Sequence, residues 1–130
     1  MTIQHLLTPI TEIHWLFASD TVRDAFDHLE TYELTAAPML DWSGRYLGTV
    51  TEADLRRHLA NGEREAALAT RLTEIERRAR NLPVTIDCDA ETLVFHAASH
   101  LFVPVVDDCD RLLGIIDRKR ITRTLLPTAA

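Results

Sequence analysis

Concentrated positive charge is missing from this sequence: 14 basic residues face 20 acidic ones, for a net charge of -6. Attraction to phosphate backbones needs clustered cations, so nucleic acid is not expected as a partner. Apolar runs long enough to cross a bilayer are also absent, as is any early basic, apolar and small-residue succession of the secretory kind. The expectation is a soluble, cytoplasmic protein that does not enter a membrane. Cysteine is scarce. Cys88 and Cys109 form no CxxC pair and neither sits beside clustered cations, so both read as free thiols rather than as a zinc, redox or disulfide framework. The Walker phosphate loop, the dinucleotide GxGxxG, the GxSxG elbow and the HExxH pair are all lacking, and two of the four glycines, Gly48 and Gly114, occupy equivalent strand positions of a repeat. An enzyme is therefore not expected. What the chain does have is 130 residues with 46% hydrophobic content, enough for one core or two closely packed half-domains.

Sliding the sequence over itself reveals that repeat. At a shift of 66 residues AAPMLDWSGRYLGTVTEADLRRHL (36–59) falls on FVPVVDDCDRLLGIIDRKRITRTL (102–125), placing Pro38 on Pro104, Asp41 on Asp107, Arg45 on Arg111, Leu47 on Leu113 and Gly48 on Gly114. Each copy reads as an apolar run ending in Asp, a polar turn, a second apolar run containing Gly, then a helical pattern. The first turn, Asp41-Trp42-Ser43-Gly44, carries hairpin residues. The second, Asp107-Asp108-Cys109-Asp110, has no glycine, which leaves its turn type open.

Upstream of each hairpin a helix follows a short strand, at Trp15 to Phe17 and Val84 to Ile86. Val22, Ala25, Phe26 and Leu29 recur with helical spacing behind an N-cap at Asp20 or Ser19. Leu93, Val94, Ala97, Ala98 and Leu101 do so behind Asp89, in a copy three residues shorter from cap to proline. The unit is strand, helix, strand, strand, helix, which sets the fold class as α/β with two β-α-β-β-α repeats. Residues 1–62 form the first repeat, 63–80 a linker and 81–130 the second. Leu68, Leu72, Ile75 and Ala79 mark a helical stripe along the linker, with Arg77, Arg78 and Arg80 at its C-terminal end offsetting the helix dipole.

The order of these motifs resembles the cystathionine β-synthase (CBS) domain, a family found as tandem pairs called Bateman modules. PMLD (38–41), GTVTEAD (48–54) and PVVD (104–107) fit its pattern, as does a lead segment IQHLLTPITEIHWL (3–16). GIIDRKR (114–120) keeps only the glycine and the strand character. The resemblance implies repeats packed about a pseudo-twofold axis, dimerisation through helices into a homodimer, and binding of an adenosine-containing ligand, such as AMP, ATP or S-adenosylmethionine, in the cleft between repeats. No cofactor is required; the nucleotide would be a regulatory ligand, and its effect would fall on a regulated partner protein.

Two residues give that implication a chemical basis. Asp54 is an acceptor able to take both hydroxyl protons of a ribose, and Thr51, one turn earlier, can donate to a phosphate oxygen at a helix N-terminus. The competing reading makes Thr51 an N-cap and Asp54 its first-turn dipole partner. By the same carry-over a base would lie against Thr35-Ala36-Ala37-Pro38, with Ile13 and His14 as another wall; otherwise the alanines pack closely and His14 is a surface residue. Asp54→Ala would then abolish binding and leave the fold intact. In the second copy Asp117 and Arg120 replace the Thr and Asp, and a guanidinium offers no acceptor to a ribose. Arg118, Lys119 and Arg120 are candidates for phosphate contact, with an internal Asp or Glu as their simpler partner. His96 and His100 share i, i+4 spacing without an evident third ligand, and no metal is assigned. The alternative function is a ligand-free dimerisation or protein-interaction module.

Overall fold

The computed structural model describes residues 3–78 and 80–125. In chain order the strands are β1 (Thr8–Pro9), β2 (Leu16–Phe17), β3 (Ala36–Leu40), β4 (Tyr46–Thr51), β5 (Val84–Thr85), β6 (Phe102–Val106) and β7 (Leu112–Asp117). The helices are α1 (Val22–Thr31), α2 (Glu52–Leu59), α3 (Arg64–Leu68), α4 (Ala90–Ala97) and α5 (Arg118–Leu125). Each repeat therefore has the expected β-α-β-β-α order, as β2-α1-β3-β4-α2 and β5-α4-β6-β7-α5. Among the described residues no helix is long and apolar enough to cross a membrane.

Helix α1 buries Val22, Ala25 and Leu29 as its spacing requires, but its cap is Thr21 rather than Asp20 or Ser19. Thr21 Oγ1 accepts from the Asp24 N–H at 3.2 Å and Asp24 Oδ2 accepts from the Thr21 N–H at 3.0 Å. Such a reciprocal box needs an acceptor three residues after the cap, and Asp20 has the cation Arg23 there. Asp20 instead accepts from the Phe17 N–H at 2.8 Å and closes the β2–α1 turn. Helix α4 starts where expected, with Asp89 accepting from the Thr92 N–H at 2.8 Å. It ends at Ala97, so Ala98 and Leu101 fall beyond it and Leu101 is 49% exposed.

The two hairpins share one turn despite their different sequences. Asp41 Oδ1 accepts from the N–H groups of Ser43 and Arg45, and Asp107 Oδ1 accepts from those of Cys109 and Arg111. Gly44 takes the left-handed position with φ 83°, and Asp110 takes the equivalent one with φ 64°. Aspartate tolerates that region better than most residues, which is why the second turn needs no glycine.

The linker departs most from its sequence pattern. Leu68, Leu72 and Ile75 are all buried in one core with α1 and α2, yet the chain there is not one helix. After α3 the backbone turns to pair with the start of α1: the Val22 N–H donates to Thr70 O and the Leu72 N–H to Asp20 O, both at 2.9 Å. These bonds satisfy an orphan donor of α1 and stop α3, leaving only a 3-10 turn at Leu72–Glu74. The apolar stripe reports burial correctly but not conformation. Ala79, its last position, lies outside the described residues.

Two compact units result, Met1–Ile13 with Asn81–Ala130, and His14–Arg80. The first holds a sheet in the order β1-β7-β6-β5, the second a sheet in the order β2-β3-β4. The N-terminal segment, grouped by sequence with the first repeat, thus completes the unit of the second: Ile3 and Leu6 are buried in its core, and Thr8 and Pro9 pair with Ile115 and Gly114. The segment that follows the first repeat likewise contributes Leu72 and Ile75 to the unit His14–Arg80. Both lead segments carry the pattern Leu-Thr-x-Ile, at Leu7 to Ile10 and Leu72 to Ile75.

The strand glycines make room for these segments. A Cβ on Gly114 would lie 2.1 Å from Thr8 O and 3.0 Å from Pro9 Cα, both backbone atoms. A Cβ on Gly48 would meet the Arg77 guanidinium, the far end of a flexible side chain. Gly114→Ala is therefore expected to push β1 off β7 and lower stability by about 1–3 kcal/mol in urea unfolding, the range for overpacking.

Candidate functional site

Two of the residues expected to contact a ligand, Thr51 and Asp54, lie together at the N-terminus of α2. Thr51 and Asp54 form a capping box: Thr51 Oγ1 accepts from the Asp54 N–H at 3.1 Å, and Asp54 Oδ2 accepts from the Thr51 N–H at 3.3 Å. The helix start is held against the start of β3, because Ala36 pairs with Thr51 and the Glu52 N–H donates to Thr35 O at 2.9 Å. Thr35, Ala36, Thr51 and Asp54 are therefore neighbours. The capping reading of Thr51 and Asp54 is realised.

Asp54 is 1% exposed. Its Oδ1 accepts from Arg57 Nη1 at 3.0 Å and from the Arg78 N–H at 3.2 Å. Burial pushes its carboxyl pKa upward, but the hydrogen bonds from Arg57, then from the Arg78 and Thr51 groups, outweigh it and hold the group below its ordinary 3.8. Arg57 is not among the expected site residues, and Arg78 is expected only to offset a helix dipole. The i, i+3 spacing of Asp54 and Arg57 is a legible signal; the Arg78 bond comes from a segment read as helix, where its N–H would have had a partner within the helix.

Strand alternation sorts the remaining positions. Ala37 is 1% exposed with its methyl in the core, so only its backbone is placed to border a ligand, whereas Pro38 is buried opposite Thr49 in the ladder. Thr49 meets the Tyr46 hydroxyl at 2.7 Å, and burial pushes that phenol up to about 12. His14 is exposed and stacks on Tyr32 with ring centroids 3.6 Å apart, edge-on to His28 at 5.8 Å. Burial, then the neighbouring His14, lower the His28 pKa. Ile13 is half-buried at the end of a 3-10 turn and belongs to the other compact unit.

In that other unit the Arg118 N–H donates to Leu101 O at 2.9 Å, matching the Glu52–Thr35 bond, and Asp117 accepts from the Lys119 N–H at 2.7 Å. Arg120 Nη1 donates to Leu6 O at 3.1 Å. Among the described residues none of Arg118, Lys119 and Arg120 forms an ion pair, so the acid expected as partner is replaced by a backbone carbonyl. His96 Nδ1 lies 3.1 Å from Leu82 O, and His100 falls beyond the end of α4, so the two do not share a helix.

This repeated architecture has a family counterpart, for the CBS domain family model matches residues 3–61 and 71–127. The chain belongs to the CBS domain family. Solved CBS structures agree in fold. A hypothetical conserved protein from Geobacillus kaustophilus is 22% identical with a TM-score of 0.83, over 96% of each chain. CbpB in complex with c-di-AMP is 17% identical with a TM-score of 0.83, over 96% of this chain and 84% of its own. CBSX2 in complex with AMP is 23% identical with a TM-score of 0.77, over 96% of each chain. No curated protein sequence matches the chain.

Because Asp54 joins β4, α2 and the segment around Arg78, Asp54→Ala removes the acceptor of three donors. Rather than leaving the fold intact, it should lower stability by about 2–4 kcal/mol in denaturant unfolding, from the lost cap and the stranded Arg57. The pH dependence follows from the lowered pKa. The folded chain binds the proton more weakly than the unfolded chain, so the Asp54 contribution is full above the ordinary value of 3.8 and fades as pH falls through the lowered native value. That part of the acid slope should vanish in Asp54→Ala.

Proposed function

We propose that this CBS pair is a regulatory ligand-sensing module, binding an adenosine-containing ligand of the AMP, ATP or S-adenosylmethionine class and modulating a partner protein. The observation that carries the reading is the Glu52 N–H to Thr35 O bond, which fixes the Thr51 hydroxyl, the Asp54 carboxylate and the N-terminus of α2 beside the start of β3. In this reading the Thr51 hydroxyl and the N-terminus of α2 receive phosphate, Asp54 receives the ribose hydroxyls, and the backbone of Thr35 to Pro38 borders the base. Relatives of the same fold with c-di-AMP and AMP support it. The module would act in the cytoplasm as a homodimer. Arg120, at the position equivalent to Asp54, accepts nothing from a ribose, so one adenosine group is expected per chain.

Calorimetry and thermal shift with AMP, ATP, c-di-AMP and S-adenosylmethionine on ligand-free protein check this. Saturable binding with a stoichiometry near one supports the reading, and at a hundredfold excess over Kd the ligand should stabilise the fold by about 2.7 kcal/mol. An absence of both heat and shift for all four ligands overturns it.

The second reading, a ligand-free interaction module, draws on the same carboxylate: Asp54 is buried and already has three donors. Exposed aromatics, Trp42 at 80% and Phe95 at 79%, give such a module apolar surface to offer. It predicts that substitutions on the exposed face of α1 disrupt association while nucleotides leave stability unchanged.

A further inference from the structure

A carboxylate offers about four acceptor positions, and those of Asp54 are taken by the Thr51 N–H on Oδ2, by Arg57 and the Arg78 N–H on Oδ1, and by the nearby Thr51 hydroxyl. A ribose brings two hydroxyl protons, more than the carboxylate has room for, to a side chain that is 1% exposed. Some resident donor has to leave. The Thr51 bond belongs to the cap of α2 and goes only if the helix start unravels. Arg57 sits on α2 with its side chain 26% exposed and can swing outward. The Arg78 donor is a backbone N–H, so its release means movement of the chain itself, and residues 75–78 form neither helix nor strand and rest on β4 through the Arg77 guanidinium against Gly48.

We infer that Asp54 is a contested acceptor, for which the ribose of a bound ligand competes with Arg57 and the Arg78 N–H, so that ligand binding releases the segment leading into the second repeat. The inference rests on the ligand-sensing reading above and supplies its output. Coupling of this kind is reciprocal: whatever holds the segment on Asp54 weakens the ligand by the factor with which the ligand loosens the segment. The other repeat shows the same tether without the contest. Arg120 holds the lead segment by donating to Leu6 O, and its guanidinium has further N–H groups to offer a ribose oxygen without giving up that bond. The switch is therefore confined to the unit His14–Arg80.

The test is amide hydrogen exchange at single-residue resolution on the full wild-type chain, with and without saturating AMP, alongside AMP titration of Arg57→Ala. Release predicts that the Arg78 amide exchanges at least about tenfold faster with AMP bound while amides of β3 and β4 slow or hold, since local opening sets exchange rates. Removing a charged competitor predicts AMP affinity about tenfold higher in Arg57→Ala. AMP binding with the Arg78 amide equally or better protected overturns the inference and leaves ligand sensing standing. Weaker AMP binding by a folded Arg57→Ala also overturns it, because Arg57 would then be a ligand contact. Failure of the wild-type chain to bind any of AMP, ATP, c-di-AMP and S-adenosylmethionine overturns the sensing reading and this inference together. The wild-type exchange measurement decides the matter even where Arg57→Ala does not fold.

Discussion

Taking a carboxylate out of water costs several kcal/mol unless donors replace its hydration, and in the unit His14–Arg80 that requirement falls on Asp54. Its three donors come from three places: the end of β4 through Thr51, the body of α2 through Arg57, and the segment after the 3-10 turn through Arg78. The lowered pKa shows that the donors outweigh the burial. One side chain thus fixes where α2 begins, which way its first turn faces and where residues 75–78 lie. The neighbouring Glu52–Thr35 bond then ties that helix start to β3. The candidate ligand surface is a by-product of these same constraints, since each residue proposed to touch a nucleotide is also positioned by them.

The equivalent place in the other repeat meets the same need with opposite chemistry. A crossing backbone segment presents both N–H and C=O groups, and a helix start can hold it through either. Asp54 takes the N–H of Arg78, whereas Arg120 gives to the C=O of Leu6. The change from GTVTEAD to GIIDRKR looks, as a ribose site, like loss. As a tether it replaces an acceptor with a donor and retains the attachment.

What the sequence shows well is whatever depends on local chemistry or on burial. The repeat, both hairpins, the Asp89 cap and the apolar faces are legible because Pro-x-x-Asp turns and helical spacing act over a few residues. The failures are equally specific. Thr21 wins the cap from Asp20 through the residue three places on, because Asp24 can close the box where Arg23 cannot. The helix expected beyond α3 is lost to two backbone bonds, joining Thr70 and Leu72 to Val22 and Asp20, partners that no window on residues 63–80 contains. Ala37 has the small side chain a ligand wall requires, yet strand alternation turns its methyl inward. Arg78 enters the site through its backbone N–H, and a side-chain pattern carries no information about that.

The two glycines of the repeat sharpen how far a family pattern can be taken. Gly48 and Gly114 hold the same place in the motif, but one makes room for a guanidinium and the other for the backbone of β1. In both cases the missing Cβ serves the seating of a lead segment rather than a ligand. Part of the pattern that marks a CBS repeat therefore encodes how a foreign segment docks, and a match to it would persist in a chain that had given up nucleotides altogether. Evidence for sensing must come from a group with unmet or exchangeable capacity. In this chain that group is Asp54, where two acceptor positions are held by donors able to leave, and a ribose needs two.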